Sequence, residues 1–438
     1  MNLPPQIPRS PAFFGAIWSR QTMPFFLKRA ARNYGDLLQL REGLWLASHP
    51  DLVQQILVAN PTKWSKARGV EKTKSLLGEG LLGSGGELHR SRRRLLQPLF
   101  AVARLPFYAD AIVECAQETR AQWHDGLVVD MHEQMSALAL RIVARSVFGS
   151  GIEGQEAQVS EALDVAMRLF NGSMTPLGDT YERLPWVRNR FMQARTQLDD
   201  IVYGLIEQKR REGAAGEGVL DILLRARDED GQELDDESLR DEAMTLLLAG
   251  HETTANALTF AWWFLGRYPA VRRKLEAEVD DVLGERRAVY EDLPRLTWTR
   301  AVLSEAMRLL PPAWAVGRRA VEDNPVTVNG KTFVVPSGTT VLMSSFVLHR
   351  DPRFWKQPNR FLPSRWTEEG FAPAKWSYLP FGAGSRACLA ENFAWMEATL
   401  ALATLAQEFR VTSGVTLKLE PSVTLRPRGP LPLCIEKR

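Results

Sequence analysis

The chain has 438 residues, 45% of them hydrophobic and 24% charged. These are the proportions of a soluble globular protein with one large domain or a few average ones. Lys and Arg total 55 against 52 acidic residues, a net charge of +3, too small to indicate a nucleic-acid partner. Cys115, Cys388 and Cys434 are far apart and form no CxxC pair, which argues against a disulfide framework or zinc site and fits a reducing, cytoplasmic setting. The first 30 residues mix prolines and charges into their apolar content, leaving no run long enough for a signal peptide or membrane span.

Residues 36–57 alternate around a Gly turn and then become helical, which predicts a hairpin leading into a helix. Residues 104–148 and 160–212 read as amphipathic helices interrupted around 171–179. "GAAGEG" at 213–218 has the most flexible composition, and the polar loop 228–238 carries a helix N-cap signal. From Asp236 to Tyr268 the pattern stays helical, and Pro269 opens another helix. Such a helix is ~33 residues, roughly 50 Å, long enough to cross a whole domain. Asn329-Gly330 between alternating segments predicts a hairpin within 326–345, and the last 25 or so residues also alternate. The expected class is mainly α with small β-sheets.

"FGAGSRACLA" at 381–390 holds Cys388, followed by apolar residues Phe393, Met396, Leu400, Leu405 and Phe409 spaced as one helix face. A thiol at a helix start is stabilised as thiolate by the helix dipole. Gly382 and Gly384 would let a flat ligand approach the backbone, and Arg386 offers a cation to a carboxylate. Taken alone, a cysteine so placed is more often a core residue.

The stretch resembles the haem-binding signature of the cytochrome P-450 family, Phe-x-x-Gly-x-Arg-x-Cys-x-Gly, with Phe381, Gly384, Arg386 and Cys388 in place and Ala390 where the last glycine stands. The resemblance implies haem b, with Cys388 as the axial thiolate to iron, and Phe381, Gly382 and Arg386 around the cofactor. It covers about 35–430 and implies one haem domain over 1–438 with no fused reductase, a long central helix lying over a buried haem.

Three further motifs follow the family's order. "LLLAGHETTANALTF" at 246–260 puts Gly250, an acid and an alcohol into an apolar helix. The glycine costs about 1 kcal/mol against alanine, and Thr253 can bond back to a carbonyl. The resemblance implies proton delivery by Glu252 and dioxygen handling by Thr253. Glu305 and Arg308 are three apart and able to pair on a helix; by resemblance they join Arg365 of "FLPSRW" in a buried structural network. His89 and Arg93 lie one turn apart and could both reach one carboxylate; the resemblance assigns them, with Arg318, to the haem propionates. Part of the run Arg90–Arg94 could instead be a docking patch for an acidic electron donor, a solvated face being the ordinary reading. His349 is expected to be structural, and His251 is given no chemistry.

The implied function is a haem-thiolate monooxygenase that inserts one atom of O2 into a hydrophobic lipid, terpenoid or carotenoid-like substrate, with electrons from a separate ferredoxin or flavodoxin and its reductase. A peroxide-driven oxygenase, a non-oxygenating haem enzyme of the same fold and a haem-binding sensor are the alternatives. Ala249, Gly250, Ala313, Trp314, Ala315 and Val316 are placed in the substrate pocket by motif, with 70–86 and 169–177 as lids.

Overall fold

The computed structural model describes residues 3–7, 22–67, 72–149, 154–173, 178–227 and 231–438. Parts of three expectations, at 70–71, 174–177 and 228–230, lie outside the described residues. The chain folds into two compact units, one made of Met1–Glu71, Ser304–Cys388 and Lys418–Arg428, the other of Lys72–Leu303, Leu389–Leu417 and Gly429–Arg438.

The first unit carries most of the β structure. Leu37–Arg41 pairs antiparallel with Leu44–Ala47, which runs parallel to Thr340–Met343. Val316–Ala320 and then Trp64–Lys66 complete the five-stranded sheet, each antiparallel to its neighbour. The Asn329-Gly330 hairpin joins Asn324–Val328 to Lys331–Val335, with both turn residues at positive φ, 51° and 73°, the conformation that this dipeptide tolerates best. One sheet face packs Trp45, Val341 and Met343 with Leu52, Ile56 and Leu57 of the helical stretch after the first hairpin.

The second unit is helical. Its longest element, Asp236–Arg267, has 32 residues and begins where the Asp235 carboxylate accepts the Ser238 N–H at 2.8 Å. Asp236 and Glu237 in the first turn and Arg267 in the last complement the dipole, and Pro269 starts the next helix. Helix Met131–Val143 packs along this long helix, where His132 Nε2 and Asn256 Oδ1 are 3.1 Å apart. Helix Glu391–Ala406 packs on Leu105–Ala121, with Phe393 edge-on to both Tyr108 and Phe100. A three-stranded sheet, Val128–Asp130, Pro432–Lys437 and Phe409–Thr412, completes the unit.

Two expectations are corrected. Helix Glu391–Ala406 is not amphipathic: every residue from Trp395 to Ala406 is buried, so it is a core helix whose leucines each contribute about 1.5–3 kcal/mol by leaving water. The glycine-rich 213–218 stretch is tied down, because Arg225 donates to the carbonyls of Ala214 and Gly216 at 2.9 and 3.0 Å. Among the described residues no helix is long and apolar enough to cross a membrane.

Candidate haem and oxygen site

In the first unit, the loop before Cys388 is shaped by its glycines. Gly382 and Gly384 have φ of +73° and +74°, a region costly to side-chain-bearing residues. Gly382 N–H bonds to Leu379 O and Ala387 N–H to Gly384 O, and the Cys388 N–H closes onto Phe381 O at 2.8 Å. A Cβ on Gly384 would lie 1.9 Å from the Leu57 carbonyl oxygen. That glycine is therefore required by protein packing rather than by ligand approach, whereas a Cβ on Gly382 would meet nothing closer than 4.0 Å. Cys388 is exposed and no disulfide links the three cysteines. It precedes the helix, whose first residue is Glu391.

The same unit holds two half-buried guanidiniums, Arg318 on strand Val316–Ala320 and Arg386 on the loop. Burial, and then repulsion from Arg386, push the Arg318 pKa down to about 10; Arg386 is also lowered, by burial. Arg318 donates to Gly317 O at 3.0 Å, and no carboxylate among the described residues pairs with it. A desolvated cation of this kind fits an anionic ligand. Ala313 to Val316 are half-buried. Trp314 spends its indole N–H on Ser422 O at 2.9 Å and packs on the cluster around Leu38, Leu46 and Val347.

Glu305, Arg308 and Arg365 are brought together in this unit. All five N–H groups of Arg308, which is 0% exposed, are used: two on the Glu305 carboxylate at 2.8 Å, the others on the carbonyls of His349, Pro358 and Arg360. Glu305 also accepts from Arg365 Nε at 3.2 Å, Leu362 N–H at 2.9 Å and Trp366 Nε1 at 2.9 Å. His349, whose pKa burial and neighbouring Arg308 depress to about 3, accepts the Leu379 N–H at 2.8 Å. It thereby links the network to the segment leading into the cysteine loop.

In the second unit the long helix is buried on both sides of a short accessible patch. Ala249 is exposed, and Gly250, Glu252 and Thr253 are half-buried. Thr253 Oγ1 donates to Ala249 O at 2.7 Å. A Cβ on Gly250 would lie 2.6 Å from Val143 Cγ2, so this glycine is required by close packing of two helices. Burial and the nearby His132 push the His251 pKa down to about 4. His89 is buried and Arg93 half-buried on helix Gly86–Leu96. The basic run is smaller as a patch than its sequence suggests: Arg90 pairs with Glu87, and Arg92 turns inward to Ser238 and Glu242.

Glu397 escaped the sequence reading. It is fully buried on helix Glu391–Ala406, its Oε2 accepting from Thr254 Oγ1 at 3.1 Å. Burial pushes its pKa up to about 8. The available signal was one acid within the otherwise uncharged stretch from Phe393 to Ala406.

Comparison with known proteins decides the family. The cytochrome P-450 family model matches residues 4–435. The chain belongs to the cytochrome P-450 family. It is 38% identical to cyclooctat-9-en-7-ol 5-monooxygenase of Streptomyces melanosporofaciens, covering 97% of this chain and 92% of that one. It is 34% identical to pentalenene oxygenase of Streptomyces avermitilis, covering 94% and 91%. Among solved structures, the haem domain of cytochrome P450DA superposes with a TM-score of 0.88 at 28% identity, covering 99% of this chain and 97% of that one. The fold is thus that of cytochromes P-450, the cofactor is haem b, and the activity is that of a haem-thiolate monooxygenase.

Proposed function

We propose that this cytochrome P-450 oxidises a terpenoid, with Cys388 as its haem ligand and Glu252 and Thr253 as its proton-handling pair. The reading rests on the accessible Cys388 thiol, held on a loop of fixed main-chain geometry in the unit that also carries Arg318, a desolvated guanidinium with no carboxylate partner among the described residues. The substrate class is taken from relatives whose names denote oxidation of cyclooctat-9-en-7-ol and pentalenene. An apolar pocket fits such a molecule, and Ala313, Ala315 and Val316 are small or apolar residues suited to line one.

Cys388 would hold the haem through its sulfur, and Arg318 and Arg386 of the same unit would take propionate. When bound, haem supplies the activation of O2 that the side chains lack. The chain's own part is positioning, exclusion of water and proton supply. The Thr253 hydroxyl, which donates to Ala249 O in the resting helix, turns to donate to the oxygen substrate, and Glu252 replaces its proton. Glu305, Arg308 and Arg365 hold the scaffold that carries the cysteine loop and touch no reacting atom. Electrons come from a separate ferredoxin or flavodoxin with its reductase, the chain acting as one haem domain in the cytoplasm.

Cys388→Ala should abolish the thiolate signature in the carbon monoxide difference spectrum; a retained signature would remove Cys388 as the ligand. Thr253→Ala should keep that signature while most reducing equivalents go to peroxide. Unchanged coupling of electron use to product would strip Thr253 of its role. The substrate class is tested by titrating terpene hydrocarbons and alcohols, fatty acids and macrolides against the haem spectrum. A response to fatty acids or macrolides with none to terpenoids would overturn it.

A further inference from the structure

The long helix carries three consecutive ionic residues, Arg240, Asp241 and Glu242, which are 2%, 5% and 0% exposed. The proton-handling motif begins only seven residues further on, at Ala249. These residues fasten three other elements of their unit. The Asp241 carboxylate accepts the Glu79 N–H at 2.6 Å, and Glu242 accepts the Leu81 N–H at 3.0 Å. Arg92, on helix Gly86–Leu96, reaches Glu242 at 3.6 Å and Ser238 Oγ at 2.5 Å. Arg240 donates from Nη1 to Asp241 at 2.9 Å and from Nε to Asp199, on helix Pro185–Arg211, at 2.6 Å; Asp199 is held in turn by Arg195 at 3.3 Å.

The segment so held is built for contact by its backbone. Gly78 has φ of +55°, and a Cβ there would lie 2.0 Å from the Asp241 carboxylate. A Cβ on Gly80 would lie 2.4 Å from both Asp241 O and Thr245 Oγ1. No apolar side chain between Gly78 and Leu82 is buried. Leu76 and Leu77 just before it are buried and anchor its start, so it is the stretch from Gly78 to Leu81 that main-chain hydrogen bonds to two carboxylates keep in place. Such a network is an inefficient way to gain stability, since apolar residues of the same volume do as well. What it provides is an attachment that is either made or broken.

We propose that Asp241 and Glu242 are positioning residues for substrate access: they hold segment 78–81 on the long helix, and Arg240 ties that hold to helix Pro185–Arg211, so that the two elements release together. This rests on the reading of 70–86 as a lid of the substrate pocket, of which residues 72–86 are described. Asp241 is the shared member, bonded both to the segment and to the guanidinium that grips Asp199. Loss of its charge weakens both attachments in one step.

The test uses the haem-loaded full chain and two variants. Asp241→Asn keeps the shape and removes the charge, and Gly80→Ala pushes the segment off from outside without touching a buried charge. Hydrogen exchange followed by mass spectrometry on peptides covering 72–86 and 190–203 reports the two attachments. The binding rate of 4-phenylimidazole, followed by the haem spectrum, reports access.

For Asp241→Asn we expect exchange in both peptides to rise about tenfold or more, with exchange in 391–406 and the thiolate signature unchanged. The association rate of 4-phenylimidazole should rise severalfold and its equilibrium affinity much less. Gly80→Ala should reproduce the effect on 72–86 and on the association rate. The proposal is overturned if neither peptide responds to Asp241→Asn, if 72–86 responds alone, or if exchange rises while the association rate does not. Should Asp241→Asn lose the thiolate signature, Gly80→Ala decides, and an unchanged association rate in that variant sinks the proposal. None of these readouts needs the natural substrate, so a screen in which every terpenoid fails leaves them standing.

Discussion

Glu305 and Glu397 are both 0% exposed glutamates on well-packed helices, yet the protein treats them in opposite ways. The Glu305 carboxylate receives two bonds from Arg308, one from Arg365, one from the Trp366 indole and one from the Leu362 main chain. Glu397 receives one, from the Thr254 hydroxyl, and its Oε1 has no partner among the described residues. Burial costs an ion several kcal/mol, and only well-placed counter-charge offsets it. Glu305 therefore sits where a carboxylate is wanted, and Glu397 where burial drives the group toward its neutral acid. The arginines repeat the contrast. Arg308 has every N–H satisfied, whereas Arg318 is desolvated with no carboxylate among the described residues. A fully paired site serves the fold; an incomplete one is open to a ligand or a proton.

The sharpest break of this comparison is Glu305→Gln. It leaves Arg308, 0% exposed, without its carboxylate and points amide hydrogens at donors, so we expect destabilisation of about 3–5 kcal/mol. Arg308→Lys should fall in the same range, because three ammonium hydrogens cannot replace five guanidinium bonds. Denaturant unfolding of the haem-loaded protein measures both. A loss under about 1 kcal/mol, as for a surface pair, would show that the network carries little of the stability.

Arg318→Leu should behave differently. No carboxylate among the described residues depends on this guanidinium, so secondary structure by circular dichroism should be unchanged. The hold on haem should fall by one charge-assisted bond, about 1.5–3 kcal/mol, or roughly ten- to a hundredfold in the rate of haem transfer to an acceptor protein. An unchanged transfer rate would mean that Arg318 meets no propionate.

The same contrast explains what the sequence made legible. The long helix was readable almost to the residue, because Asp235 caps it and Pro269 follows its end, and the Asn329-Gly330 hairpin because its turn chemistry is local. Cys388, Arg365 and the Glu305–Arg308 pair stood out through motif spacing. Gly250 and Gly384 were visible as small residues, but their causes, Val143 and Leu57, lie far away in the chain. Helix Glu391–Ala406 looked one-sided because alanines and threonines hid its second buried face. Asp241 and Glu242 carried no signal in the sequence, since their partners at 79 and 81 are brought to them only by the fold.

The effect most specific to Glu397 is one of pH dependence. Burial raises its folded-state pKa from 4.5 to about 8, so between those values the folded protein holds a proton that the unfolded chain has released. Where the folded state binds more protons, stability falls as pH rises, by at most about 1.4 kcal/mol per pH unit for one group. The contribution is fully present below about pH 4.5, declines through the interval, and is gone above about pH 8. Glu397→Gln keeps an oxygen acceptor for Thr254 and cannot ionise. Its unfolding free energy, measured at several values between pH 5 and 9, should therefore fall less steeply than that of the parent, while the two proteins lie close together at the acid end. Parallel curves would mean that Glu397 is already ionised at neutral pH, and the contrast with Glu305 would then be one of geometry without one of charge.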